Sequence, residues 1–162
     1  MNTGIDLFIA DLPGFDYGYS EEFGYGVGNF KSHCEDNGGV LTTPSSQSEV
    51  DAILQVKDID SSCQYMIIAA YGAGDYPDDL TFFTDDGSQA QELTYANWGP
   101  GYPLIKTKTN PEFDNRCTYM DIRSGYDGVW YNENCDQIYQ CGLCRASPSG
   151  GGGGGKLAFL PT

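Results

Sequence analysis

Basic residues, histidine and long apolar runs are what this chain has least of. Eight Lys and Arg stand against 23 Asp and Glu, a formal net charge of -15 over 162 residues. Nucleic acids and anionic membranes both require a basic face, so neither is the main partner. The apolar stretches, such as 67–71, are strand-sized, and no membrane span is expected. The single histidine, His33, lies between Ser32 and Cys34. No Ser/His/Asp arrangement, His-rich metal motif or phosphate loop accompanies it, so the chain reads as a non-enzyme. Carboxylates abound, yet nothing singles out a glycosidase-like pair. Cations, mineral surfaces, basic proteins and neutral sugars remain as partners.

What is present in excess is Gly (22), Tyr (12) and an even set of 6 Cys. With 40% hydrophobic residues, the length suits one domain with its own core. Six cysteines in such an acidic chain read as a disulfide framework from an oxidising compartment, which implies a secreted, extracellular protein. The competing zinc reading has only one Cys-x-x-Cys pair, Cys141 and Cys144. Met1-Asn2-Thr3-Gly4 carries neither a basic nor a long apolar leader. Either a leader was removed and Met1 added, or the sequence is a mature fragment.

Three regions are expected. Residues 1–29 hold a strand at Ile5–Ala10 and a stretch that alternates aromatics with glycine, Gly14 to Gly28. That stretch is read as a long loop folding back on the core, with self-association as its alternative. Residues 147–162 contain six consecutive glycines, Gly150–Gly155, and read as a flexible linker and tail. Between them lies the main domain, 30–146, and the folded unit as a whole spans about 1–147. A helix over Asn29–Asp36 places Phe30 and Cys34 on one face and stops at Asn37-Gly38-Gly39. A second starts at Ser46 with Glu49 completing a capping box, and buries Val50, Ile53 and Leu54. Strands are expected at Tyr65–Ala70, Leu80–Thr84, Thr118–Ile122, Gly128–Tyr131 and Ile138–Cys141, with little regular structure otherwise between Ala69 and Cys117. Two helices followed by short strands make an α+β domain.

In this order the pieces resemble a C-type lectin-like domain over about Phe30–Arg145. Phe30-Lys31-Ser32-His33-Cys34 with Gly38–Leu41 is similar to its first helix and turn, and Ser48–Ile53 to its second helix. Ile67–Ala70 resembles its core strand, and Asp86-Gly87-Ser88 with Tyr95–Trp98 the segment before its long loop. Cys117, Gly128-Val129-Trp130, Cys135 and Tyr139-Gln140-Cys141 resemble its closing strands. The resemblance implies two small antiparallel sheets, two helices and a long loop. It also implies disulfides Cys34–Cys141 and Cys117–Cys135, leaving Cys63 and Cys144 for a third. Cys141-Gly142-Leu143-Cys144 leaves open an exchange of partners.

In that family, calcium-dependent sugar binding rests on a Glu-Pro-Asn or Gln-Pro-Asp triplet in the long loop and a Trp-Asn-Asp triplet before the third matching cysteine. Calcium takes six to eight oxygens, so the positions must carry carboxylates or amides. Here they read Tyr102-Pro103-Leu104, its proline expected as a cis turn, and Trp130-Tyr131-Asn132. Three of the four ligand positions have lost their chemistry, so the sugar site is expected to be absent. No cofactor is implied. Calcium stays open elsewhere: at Asp75, Asp78 and Asp79, within a stretch without basic residues from Lys57 to Lys106, or around Asp114, Asn115, Asn132 and Glu133. A ligand surface is expected at Tyr102, Tyr126, Tyr131, Asn132 and Glu133, over a core holding Trp98 and Trp130. The leading reading is a binding module for an extracellular protein, or a structural unit. Its alternatives are an acidic matrix, adhesive or mineral-associated assembly protein that self-assembles, and a glycan-binding lectin with an altered or calcium-independent site.

Overall fold

The computed structural model describes residues 7–11, 27–56, 63–74, 79–85, 90–105, 115–135 and 141–146. The Gly/Tyr stretch from 12 to 26, Asp75, Asp78, Asp114 and the Gly-rich tail lie outside them.

The element order is β1 (Leu7–Asp11), α1 (Val27–Asp36), β2 (Gly39–Leu41), α2 (Gln47–Val56), β3 (Tyr65–Ile68), β4 (Ala70–Ala73), β5 (Thr81–Asp85), β6 (Ala90–Glu92), β7 (Cys117–Asp121), β8 (Val129–Glu133) and β9 (Cys141–Ala146). The expected α+β class is present, with both helices close to their predicted positions. The interval from Ala69 to Cys117 is more regular than its composition suggested, because β4, β5 and β6 form a separate three-stranded sheet there. Gly, Asp and Thr in short strands give weak local signals, and cross-strand partners supply the rest. The last strand also starts at Cys141, where the expected one ended; Ile138 lies outside the described residues.

Helix α1 ends as its sequence requires. Gly38 takes φ 81°, and the Asn37 and Gly38 amides donate to the carbonyls of Cys34 and Glu35 at 3.1 Å. At the start of α2, Ser46 Oγ accepts from the Glu49 amide at 3.3 Å. The return half of the box is displaced by one residue: Glu49 Oε1 accepts from the backbone and hydroxyl of Ser45, at 2.8 and 3.0 Å. Glu49 also takes a bidentate fork from Arg145 of β9, at 2.8 and 3.0 Å, which ties α2 to the last strand. Burial alone would raise the Glu49 carboxyl, but the Arg145 and Ser45 hydrogen bonds outweigh it and hold its pKa below the usual value.

The main sheet runs β1-β9-β3-β7-β8, with β2 also paired to β9. Strand β9 is central, so Cys141, Gly142, Leu143 and Cys144 are all buried. Alternation divides its two faces. Cys141 and Leu143 join Met66, Ile68, Met120 and Trp130 in one cluster with Val50 and Ile53 of α2. Cys144 joins Phe8 and Ile67 in another, with Phe30 and Cys34 of α1.

This partition corrects the disulfide pairing. The structure joins Cys34 to Cys144 and Cys63 to Cys141, the exchanged alternative, while Cys117–Cys135 is as expected. Cys141 and Cys144 are three apart on a strand of period two, so they face opposite ways. Only Cys144 faces α1; Cys141, paired in register with Met66, faces the side of Cys63.

Candidate functional site

The long loop is fastened to the edge strand β8. Trp130 donates its amide to Asn97 at 2.8 Å and accepts from Gly99 at 3.0 Å, a parallel bridge centred on Trp98. The rings beneath are edge-to-face: Trp98 with Trp130 at 5.7 Å, Trp98 with Phe82 at 5.0 Å, and Tyr95 with Trp130 at 5.9 Å. Trp130 is fully buried and Trp98 packs against the core, as expected for the two tryptophans. The Tyr102–Pro103 peptide is cis, also as expected.

Asn132 fastens the far side of the loop. It was placed in the ligand surface, but only 2% of it is exposed, so it lies beneath that surface. Its Oδ1 accepts from the Leu104 amide, and its Nδ2 donates to the carbonyls of Leu104 and Asn115, each at 2.8 Å. All three bonds go to the backbone. A buried amide must satisfy donor and acceptor alike, and these partners do so.

Tyr131 points to the opposite face of β8 from Trp130 and Asn132, because successive strand residues alternate. There it meets Tyr102 edge-to-face, with centroids 4.8 Å apart and planes at 89°. It also leans on Tyr119, its cross-strand partner in β7, at 5.6 Å and 32°. Tyr119 meets Tyr65 of β3 at 5.6 Å and 88°. The Arg123 guanidinium in turn lies over the Tyr65 ring at 4.9 Å and over the Tyr126 ring at 4.0 Å. Tyr102, Tyr131, Tyr119 and Tyr65 thus form a row of four rings over β8, β7 and β3, which continues through the Arg123 guanidinium to Tyr126. Arg123 is set by Asp121, which accepts its Nε at 3.0 Å and its Nη2 at 2.8 Å. That hydrogen-bonded fork also raises the Arg123 pKa.

Gly99 makes room for the row. A Cβ there would lie 2.7 Å from Tyr131 Cε1, too close for any other residue without moving the ring. Burial first, then the negative charges of Glu133 and Asp121, push the Tyr119 hydroxyl well above the usual tyrosine value. Tyr126, at 44%, is the most exposed of the row, and Leu104 and Ile105 are also exposed, at 42% and 40%.

The structure therefore brings Tyr102 and Tyr131 together, sets Tyr126 at the other end through Arg123, and places Glu133 on the same face. Tyr65, Tyr119 and Arg123 were not among the expected site residues. The alternations Tyr119-x-Asp121 and Tyr131-x-Glu133 carried a signal, but only the hairpin register, Tyr119 opposite Tyr131, assembles it. Of the expected ion ligands, Asp79 is exposed, and Asp75, Asp78 and Asp114 lie outside the described residues. Among the described residues no group of three His, Cys, Asp or Glu could hold a metal, and no helix is long and apolar enough to cross a membrane.

A search of curated protein sequences finds no match. Among solved structures, human lithostathine superposes with a TM-score of 0.61 at 16% identity, covering 90% of this chain and 87% of its own. The cow C-type carbohydrate-recognition domain of CD23, solved in the presence of an oligosaccharide, gives 0.57 at 18% identity, with 87% of each chain covered. The calcium-independent C-type lectin SPL-2 from Saxidomus purpuratus gives 0.55 at 22%, covering 76% of this chain and 80% of its own. At such identities the likeness is one of fold. The family model described as the lectin C-type domain matches residues 25–146, from just before α1 to the end of β9. With helices, sheets and three disulfides arranged as described, the chain belongs to the C-type lectin domain family, whose members are ligand-binding modules.

Proposed function

We propose that this chain is a secreted, non-enzymatic binding module that recognises a protein through the tyrosine surface of its long loop, without a calcium-dependent sugar site. The single observation that carries the reading is Asn132. Calcium in the family's site would need side-chain oxygens at positions 102, 104, 131 and 132. Tyr102, Leu104 and Tyr131 offer no carboxylate or amide. The one amide left, Asn132, spends its oxygen on the Leu104 amide and is buried. The residues present do not fit the ion, and hydrogen bonds tie the loop to β8 in its place. Three disulfides in this fold are typical of extracellular proteins, which supports secretion.

The edge-to-face Tyr102 and Tyr131 supply rigid contact area with polar tips, the composition of protein-binding hot spots. A second reading, glycan binding without calcium, is favoured by the same rings, since sugar faces also stack on tyrosine, and SPL-2 shows that calcium independence occurs in this fold. Calcium titration followed by melting tests the first part: a native-state ion must raise the melting temperature, and none is expected at millimolar calcium. A glycan array with and without chelator tests the second. Specific glycan retention would overturn the protein-recognising reading, and chelator-sensitive retention would overturn calcium independence as well.

A further inference from the structure

We propose that the Tyr102–Tyr131–Tyr119 end of the ring row seats an arginine side chain from a basic segment of a partner protein. The inference rests on the protein-recognising reading above and gives its partner a chemistry.

The first observation is that the row already holds a guanidinium at its other end. Arg123 lies over the rings of Tyr65 and Tyr126, 4.9 and 4.0 Å from their centroids. Its fork is on Asp121, at the same strand level as Tyr65. Two tyrosines of the molecule, Tyr65 and Tyr126, thus already hold a planar cation over their rings with a carboxylate beside it.

The second is the geometry of the remaining end. Tyr102 and Tyr131 meet at 89° and form a corner, and Tyr119, tilted only 32° from Tyr131, continues its floor. A corner of rings offers a cation electron-rich faces from two directions. All three tyrosines are half-buried, so their faces are fixed while part of each stays open to solvent.

The third is charge complementarity. The face carries Glu133 beside the rings, and its carboxylate acts on the Tyr119 hydroxyl; Asp121 on the same face is already held by Arg123. The whole chain adds a net charge of -15, which draws basic partners and repels acidic ones. Leu104 and Ile105, exposed next to Tyr102 and Pro103, give an apolar margin suited to an arginine's methylene stem. Lysine fits less well, because its compact ammonium is strongly hydrated and does not stack.

The test titrates a hexa-arginine peptide into the full chain in 0.15 M salt by calorimetry, with tyrosine-ring NMR shifts as the local readout. One saturable site is expected, with shifts at Tyr102 and Tyr131. Tyr131→Leu or Tyr102→Leu leaves the net charge unchanged and should weaken binding by about three- to thirtyfold. Tyr131→Phe keeps the ring and should bind nearly as the native chain does. Tyr102 is in the loop, so its variant reports even if Tyr131→Leu disturbs the sheet. A hexa-citrulline peptide, planar but neutral, should not bind. Absence of hexa-arginine binding overturns the seat, as does equal affinity in both leucine variants, which would show attraction by bulk charge alone. The two proposals fail separately. Glycan retention with intact arginine binding overturns the protein-recognising reading, whereas no arginine binding and an empty glycan array overturn the seat alone.

Discussion

Replacing Asn132 by alanine removes three hydrogen bonds at once: one from the Leu104 amide and one each to the carbonyls of Leu104 and Asn115, all at 2.8 Å. An intramolecular hydrogen bond contributes a net ~0.5–1.5 kcal/mol, so three contribute about 1.5–4.5 kcal/mol. The upper end would hold if every former partner stayed buried and unpaired. Leu104 is 42% exposed, so its backbone can regain water when the loop loosens. Asn132 itself is 2% exposed, and truncating it leaves a small void beside β7. The balance is a loss of roughly 3 kcal/mol, which for a chain of this size lowers the melting temperature by about 6–12 °C. Urea unfolding with the disulfides intact, followed by the fluorescence of Trp98 and Trp130 next to the loop, measures the free energy. Amide exchange at Leu104 reads the same event locally and should lose its protection in the variant. A variant within about 0.5 kcal/mol of the native chain, with Leu104 still protected, would refute the claim that this amide fastens the loop.

The Glu49–Arg145 fork predicts a pH dependence. The folded-state pKa of Glu49 is lowered, so the unfolded chain binds the extra proton first. The stability it supplies is full above the unfolded value, near 4.5, and is lost as pH falls through the folded one. Glu49→Gln should cost about 2 kcal/mol at pH 7 and progressively less towards pH 3; an equal cost at both would rule out the linkage. Gly99→Ala drives a methyl to 2.7 Å from the Tyr131 ring and should destabilise the fold by about 1–3 kcal/mol, shifting the Tyr102 and Tyr131 ring resonances. Unchanged ring resonances would show that Gly99 is not what admits the ring. Non-reducing peptide maps, with cleavage after Leu143 to separate Cys141 from Cys144, should recover Cys34 with Cys144 and Cys63 with Cys141. Closing the 110-residue separation between Cys34 and Cys144 contributes roughly 4–5 kcal/mol on the chain-entropy account, so a Cys34→Ala/Cys144→Ala chain should unfold at much lower denaturant.

Both helices were legible in the sequence because their signals are local. Phe30 and Cys34 are four apart, Gly38 follows the last turn, and Ser46 with Glu49 caps the next helix; each acts within one or two turns of chain. That Tyr102, Leu104 and Tyr131 carry neither carboxylate nor amide was also legible, since folding cannot add one to a side chain. The chain's acidity was legible in the same way. What no local reading could decide is anything set by register. Period two puts Cys141 and Cys144 on opposite faces, but only the packing of α1 and α2 on those faces says which cysteine each receives. Nor could the sequence distinguish a surface Asn132 from a buried one. That depends on Leu104, 28 residues away, coming within 2.8 Å. The tyrosine row is the clearest case: strand pairing lines up Tyr65, Tyr119 and Tyr131, and the long loop brings Tyr102 onto Tyr131. Composition supplied the tyrosines, while the sheet placed Tyr65, Tyr119 and Tyr131 on one face.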